Sequence, residues 1–227
     1  MFRKSFCRNH SKAMQYVAAI ILVFVGGFAI MVLEIIGARF LPKFFGSSFY
    51  VWVSQIGVIL AALAIGYFIG GMLADRYRRA SFLFWLLAPA GVVTFFIPDF
   101  AAPLMDAIVL RHPAQESIPL LWQKLDPVIG SSLIFLLPCC ALATLSPYMI
   151  RLAATRLAHV GKISGLIYAA STVGSIAGVF VSGYVLIDQM NLSNIFRATG
   201  GLTFLLGGMC LFMDRWLVEK TAVATEG

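Results

Sequence analysis

Glu34 is the only acid inside an apolar window of this 227-residue chain, in the run Met31-Val32-Leu33-Glu34-Ile35-Ile36-Gly37-Ala38-Arg39. A carboxylate at such depth is expensive and usually functional, because it needs a cation, either a positively charged solute or a basic side chain. Arg39 is the nearest base in sequence. Five residues amount to about 140° around an ideal helix, so the two pair only if the helix distorts near Gly37 or Arg39 snorkels. Glu34 and Arg39 are therefore the candidate ligand-binding or countercharge residues, the plainer alternative being an acid hydrated at a helix end. A second grouping, Asp75, Arg76, Arg78 and Arg79, closes another apolar run. An acid at a helix end accepts hydrogen bonds from a neighbouring helix N-terminus or an arginine, a bond that breaks when helices rock. Asp75, Arg76 and Arg79 are read as such a latch; a simple charged stop is the alternative.

Other chemistry finds little to build on. Cys7, Cys139, Cys140 and Cys210 have neither CxxC nor Cys/His metal-ligand spacing, and read as small packing residues. His10, His112 and His159 are far apart, so no metal ion is expected. Ser146, Ser171 and Ser175 lack a nearby His and acid, and no carboxylate pair proposes acid and base roles, so no catalytic residue is assigned. No G-x-G-x-x-G turn between a strand and a helix occurs, and no cofactor is expected. The net charge of +7 comes from short clusters between apolar runs, without a basic stripe or an aromatic stacking platform, which excludes a nucleic-acid partner.

The elements that position these residues follow from composition. With 60% hydrophobic and 12% charged residues and a mean hydropathy of +0.91, the chain cannot coat a globule in water; its partner is the lipid bilayer. A membrane helix needs about 20 mostly apolar residues. Six windows qualify, near 15–36, 50–74, 82–97, 128–147, 163–187 and 195–213, which predicts an all-α integral membrane protein with six transmembrane helices. Pro89 and Pro138 interrupt the third and fourth, which are kept as kinked helices. The first run exceeds a signal-peptide core and lacks an A-x-A site, so it is expected to stay as an anchor. With the N-terminus inside, twelve of the 17 basic residues fall on cytoplasmic segments, which predicts both termini in the cytoplasm. The expected domains are a basic N-terminus (1–14), the six-helix domain (15–213) and a cytoplasmic tail (214–227). Within the domain, 98–127 is an external amphipathic loop of two short surface helices.

Small residues recur at every fourth position in the second window (Ala62, Gly66, Gly70, Ala74) and the fifth (Ala170, Gly174, Gly178, Ser182). Such stripes let helix backbones approach closely, and their placement second in each group of three predicts a 3+3 repeat. The loop from Gly70 to Arg79 resembles the G-x-x-A-D-R-x-x-R loop of the major facilitator superfamily. Longer stretches resemble the membrane domain of bacterial membrane-bound spermidine synthase-like proteins. These are E-x-x-G-A-R-x-x-P-x-x-x-G from Glu34 to Gly46, Trp52, G-Y-x-x-G-G-x-x-A-D-R from Gly66 to Arg76, S-P-Y-x-I-R from Ser146 to Arg151, and the run from Val160 to Gly178. Fused members of that family carry a soluble Rossmann-type transferase domain, which this sequence does not contain, so spermidine synthesis is not expected of this chain.

The resemblance implies half of a facilitator-like bundle, completed by a second copy or another membrane subunit. Two functions are expected to compete. In one, the bundle binds or moves a small polar solute, a polyamine or related amine, with Glu34 as countercharge. In the other, it is a non-transporting anchor or scaffold for a separate soluble transferase or a membrane complex. Gln55, Tyr67, Thr144, Tyr168, Ser171 and Thr172 should converge on one cavity in the first case and stay scattered in the second.

Overall fold

A computed structural model describes the backbone of residues 2–113, 118–154 and 160–225, with side chains described over 16–113, 118–154 and 160–214. His159 and the side chains of Cys7 and His10 lie outside the described residues. Six helices are long and apolar enough to cross a membrane: span one (Tyr16–Phe45), span two (Phe49–Arg76), span three (Ala80–Val109), span four (Leu120–Ala153), span five (Val160–Gln189) and span six (Leu192–Asp214). The protein is an all-α, multi-pass membrane protein. The first and last helices continue past their spans, beginning at Phe2 and running to Thr225, so the segments read as polar tails prolong them.

The loop expected over 98–127 is shorter than that. Its two surface helices are instead extensions of spans three and four. The helix Phe84–Val109 continues through Pro98 and Pro103, and the helix Leu120–Ser131 contains Pro127. The four-residue step of Phe100, Leu104 and Ile108 that pointed to a surface helix belongs to the core-facing side of span three, where Ala101, Met105 and Ile108 are buried. Proline in a membrane helix is tolerated when neighbours supply the packing and satisfy the freed carbonyl.

Span four accommodates its other prolines by local changes of winding. Pro138 cannot donate to the carbonyl of Ile134, and the segment Ser132–Leu136 around that carbonyl is a π-turn. Pro147 likewise frees the Ala143 carbonyl, and the helix is interrupted at Thr144, whose hydroxyl donates to Ala141 O at 2.7 Å. At the junction of spans one and two the chain turns at Gly46, whose φ of +78° is open to a residue without Cβ.

Span one packs chiefly on span five, span two on span four, and span three on span six. Secondary contacts join one to four, one to six and three to four. The spans thus stand in a row of five, one, four and two, with three and six behind the central pair. Exchanging one, two and three with four, five and six leaves the three principal pairings unchanged, as a 3+3 repeat requires. The core lies where the central helices meet, around Leu22, Leu33, Ile36, Phe135, Tyr148 and Phe196.

The small-residue stripes form these pairings. Ala62, Gly66, Gly70 and Ala74 are buried against span four; a Cβ on Gly70 would lie 2.7 Å from the Thr144 carbonyl oxygen. Gly174 and Gly178 meet span one, the former against the backbone of Phe24, the latter with its Cβ position 2.5 Å from the Phe28 carbonyl oxygen. Between spans three and six, Gly91 and Gly200 meet each other's backbones. In lipid, where apolar burial drives little helix association, such close approach is the main source of packing energy.

Candidate functional site

Glu34 is half-buried on span one. Among the described residues it has neither an ion pair nor a hydrogen-bond partner. The helix around it is unbroken from Phe2 to Phe40, so the distortion near Gly37 that would bring Arg39 round does not occur. Arg39 is exposed near the helix end and unpaired among the described residues; the expected Glu34–Arg39 pair is not formed. The geometric reason is the angle between them: an intact helix holds the two side chains on different faces.

The six polar residues expected to converge do not share one enclosed cavity. Gln55 is fully buried and accepts a 2.6 Å hydrogen bond from the Ser131 hydroxyl, while its amide nitrogen, packed on Gly37, has no partner among the described residues. Thr144 and Thr172 donate to carbonyls of their own helices. Ser171 faces Ser146 at 3.5 Å across spans four and five. Tyr67 and Tyr168, on spans two and five, are exposed. These outer spans are the least covered: 28% of the most apolar stretch of span two and 17% of that of span five is buried, against 61% for span four.

Of the three residues read as a latch, Asp75 alone makes an ion pair among the described residues, and its partner is neither of the other two. Asp75 accepts a 2.6 Å hydrogen bond from Arg151 Nε, which joins spans two and four. Arg76 lies over the ring of its neighbour Tyr77, and the exposed side chains of Arg76 and Arg79 make no ion pair among the described residues. The Arg79 backbone contributes instead. The buried Tyr148 hydroxyl is shared between the carbonyls of Tyr77 and Arg79, the latter at 2.9 Å. Asp214 of span six accepts from the Ala80 and Ser81 amides at 3.2 and 2.8 Å, capping the start of span three as an acid caps a helix N-terminus. Arg151, Tyr148 and Asp214 were not singled out from sequence, although Tyr148 and Arg151 lie within the S-P-Y-x-I-R piece.

At the opposite end, spans three and four are clasped by Asp126, which is 4% exposed. It accepts from Arg111 Nη2 and lies 2.7 Å from His112 Nε2, while the Arg111 guanidinium stacks 4.2 Å above the Trp122 ring. Among the described residues no group of three metal-ligating side chains occurs.

Comparison with protein-family models, with curated proteins and with solved structures finds no match to the chain. The multi-pass membrane class therefore stands on the six spans themselves.

Proposed function

We propose that the bundle is a transporter-like module that binds or moves a small polar solute bearing an amine, with Glu34 as its countercharge and with a second copy or partner subunit completing the site. The observation that carries this reading is the partly exposed carboxylate of Glu34, on a membrane helix and without a cation among the described residues. An acid so placed either takes up a proton or binds a positive charge. The sparsely covered outer spans two and five, which carry the exposed Tyr67 and Tyr168, support a site completed from outside the chain. The half-facilitator architecture is supported by the exchange symmetry of the helix pairing. The choice of a polyamine or related amine rests on the resemblance to spermidine synthase-like membrane domains. Cytoplasmic placement of both termini rests on the distribution of basic residues, and the bacterial inner membrane on the resemblance to bacterial membrane-bound spermidine synthase-like proteins.

One observation favours the second reading, a membrane anchor or scaffold for a separate soluble transferase or another membrane complex. Thr144 and Thr172 spend their hydroxyls on their own helices and Gln55 on Ser131, which leaves fewer polar groups free for a solute. Glu34→Gln separates the two, since it keeps the shape and removes the charge. In liposomes containing the full chain, the variant is expected to insert and fold as the parent does while losing spermidine binding and uptake. A parent that binds no amine, or a variant that binds as well as the parent, would assign the bundle to the scaffold class.

A further inference from the structure

We propose that the groove between spans three and six is a binding site for an anionic phospholipid, one acyl chain lying in the groove and the phosphate held by Arg197. The groove has a volume of about 280 Å³ and is lined by Gly91, Phe95, Phe96, Gly200, Gly201 and Phe204. It owes its existence to the glycines. Gly91 and Gly200 draw the backbones together, and a Cβ on Gly91 would lie 2.7 Å from the Phe204 amide nitrogen, so no side chain fills the floor. The phenylalanines form walls, and Phe95, Phe96 and Phe204 are exposed. No polar side chain lines the space, which suits a hydrocarbon chain and offers nothing to a polar solute.

The occupant is specified at one end. Asp99 lies one helical turn beyond Phe95, and Arg197 one turn beyond Gly201, both toward the end of the bundle opposite the chain termini. They pair at 3.2 Å, Arg197 Nη2 to Asp99 Oδ1, with side chains 45% and 52% exposed. An exposed pair of this kind contributes little, and a guanidinium with one N–H engaged keeps others for a phosphate oxygen. An apolar groove with an arginine one helical turn beyond it has the two chemistries of an anionic lipid in the order a lipid presents them.

Native mass spectrometry of the full chain, released from mixed vesicles of phosphatidylglycerol and phosphatidylcholine with identical acyl chains, tests the assignment. One phosphatidylglycerol per chain should be retained in preference to phosphatidylcholine, by about tenfold for one charge-assisted contact. Gly201→Leu, whose Cβ would meet nothing within 4 Å, fills the groove without touching the helix interface and should abolish retention of both lipids. Gly208→Leu on the same span also meets open space, outside the groove, and should retain lipid as the parent does. Arg197→Gln should keep a bound lipid and lose the headgroup preference; Asp99→Asn should strengthen it. Equal retention of the two lipids by the parent, undiminished retention by Gly201→Leu, or crosslinking of Gly201→Cys between two copies in place of a bound lipid would overturn the proposal.

Discussion

Glu34 and Asp126 are both carboxylates in apolar surroundings, and the fold treats them oppositely. Asp126 is closed in by Arg111 and His112, so its charge is compensated and its role is to hold spans three and four together. Asp126→Asn keeps the volume but removes the negative charge that faces Arg111 and one of the two acceptor oxygens. It should cost about 1–3 kcal/mol, as loss of a charged hydrogen bond in a buried place does. A lower unfolding midpoint in detergent, with amine binding unchanged at a temperature where the variant is folded, is the expected result. Glu34 was legible from sequence because one acid in a long apolar run stands out at any register. Its lack of a partner was not, since that depends on whether the helix bends before Arg39. Asp126 was hidden by its setting, a segment whose five prolines read as a loop although its backbone is largely helical. Asp75 stood out as a helix-end acid, but its partner Arg151 lies 76 residues away, and only the folded chain brings the two together.

The helices themselves were easier to read than their ends. An apolar run reports the hydrocarbon thickness directly, whereas a boundary depends on whether neighbours can support proline, as they do at Pro98 and Pro103 within span three. The small-residue stripes carried more information still, because a Gly every fourth residue names the face that a neighbour must touch. Span five offers a clean comparison on one helix. Gly178 sits against the Phe28 carbonyl of span one, while a Cβ on Gly183 would meet nothing within 4 Å. Gly178→Leu should separate spans one and five, and yield a chain that inserts but aggregates or is proteolysed when extracted. Gly183→Leu should behave as the parent in the same detergent, judged by size-exclusion profile and protease resistance. Equal behaviour of the two variants would mean that the contact of spans one and five contributes nothing to the bundle. Which helix each stripe would meet could not be read in advance, because Gly66 and Gly174 look alike in sequence and dock on different partners.

At the scale of the whole molecule, the even number of crossings brings both termini to one end. There the Asp75–Arg151, Tyr148 and Asp214 contacts tie together spans two, three, four and six. The order in which the pairings close is set by where the partners lie along the chain. Span one packs on span five, span two on span four and span three on span six, so none of the first three helices has its principal partner among the other two. During synthesis, the chain up to Val109 therefore consists of three membrane helices with their glycine and apolar docking faces unsatisfied. Packing must wait until the second three enter the bilayer. Residues 1–113 expressed alone should give inserted helices that remain protease-sensitive and are degraded. Co-expression of 1–113 with 114–227 as separate chains should restore a co-purifying, protease-resistant bundle, because every principal contact crosses that divide. A stable first fragment would contradict this order of assembly. The pairing thus gives biogenesis of this protein a built-in interval in which its first half is inserted but unassembled, with Gly66, Gly70 and Gly91 not yet covered by the helices they meet in the finished bundle.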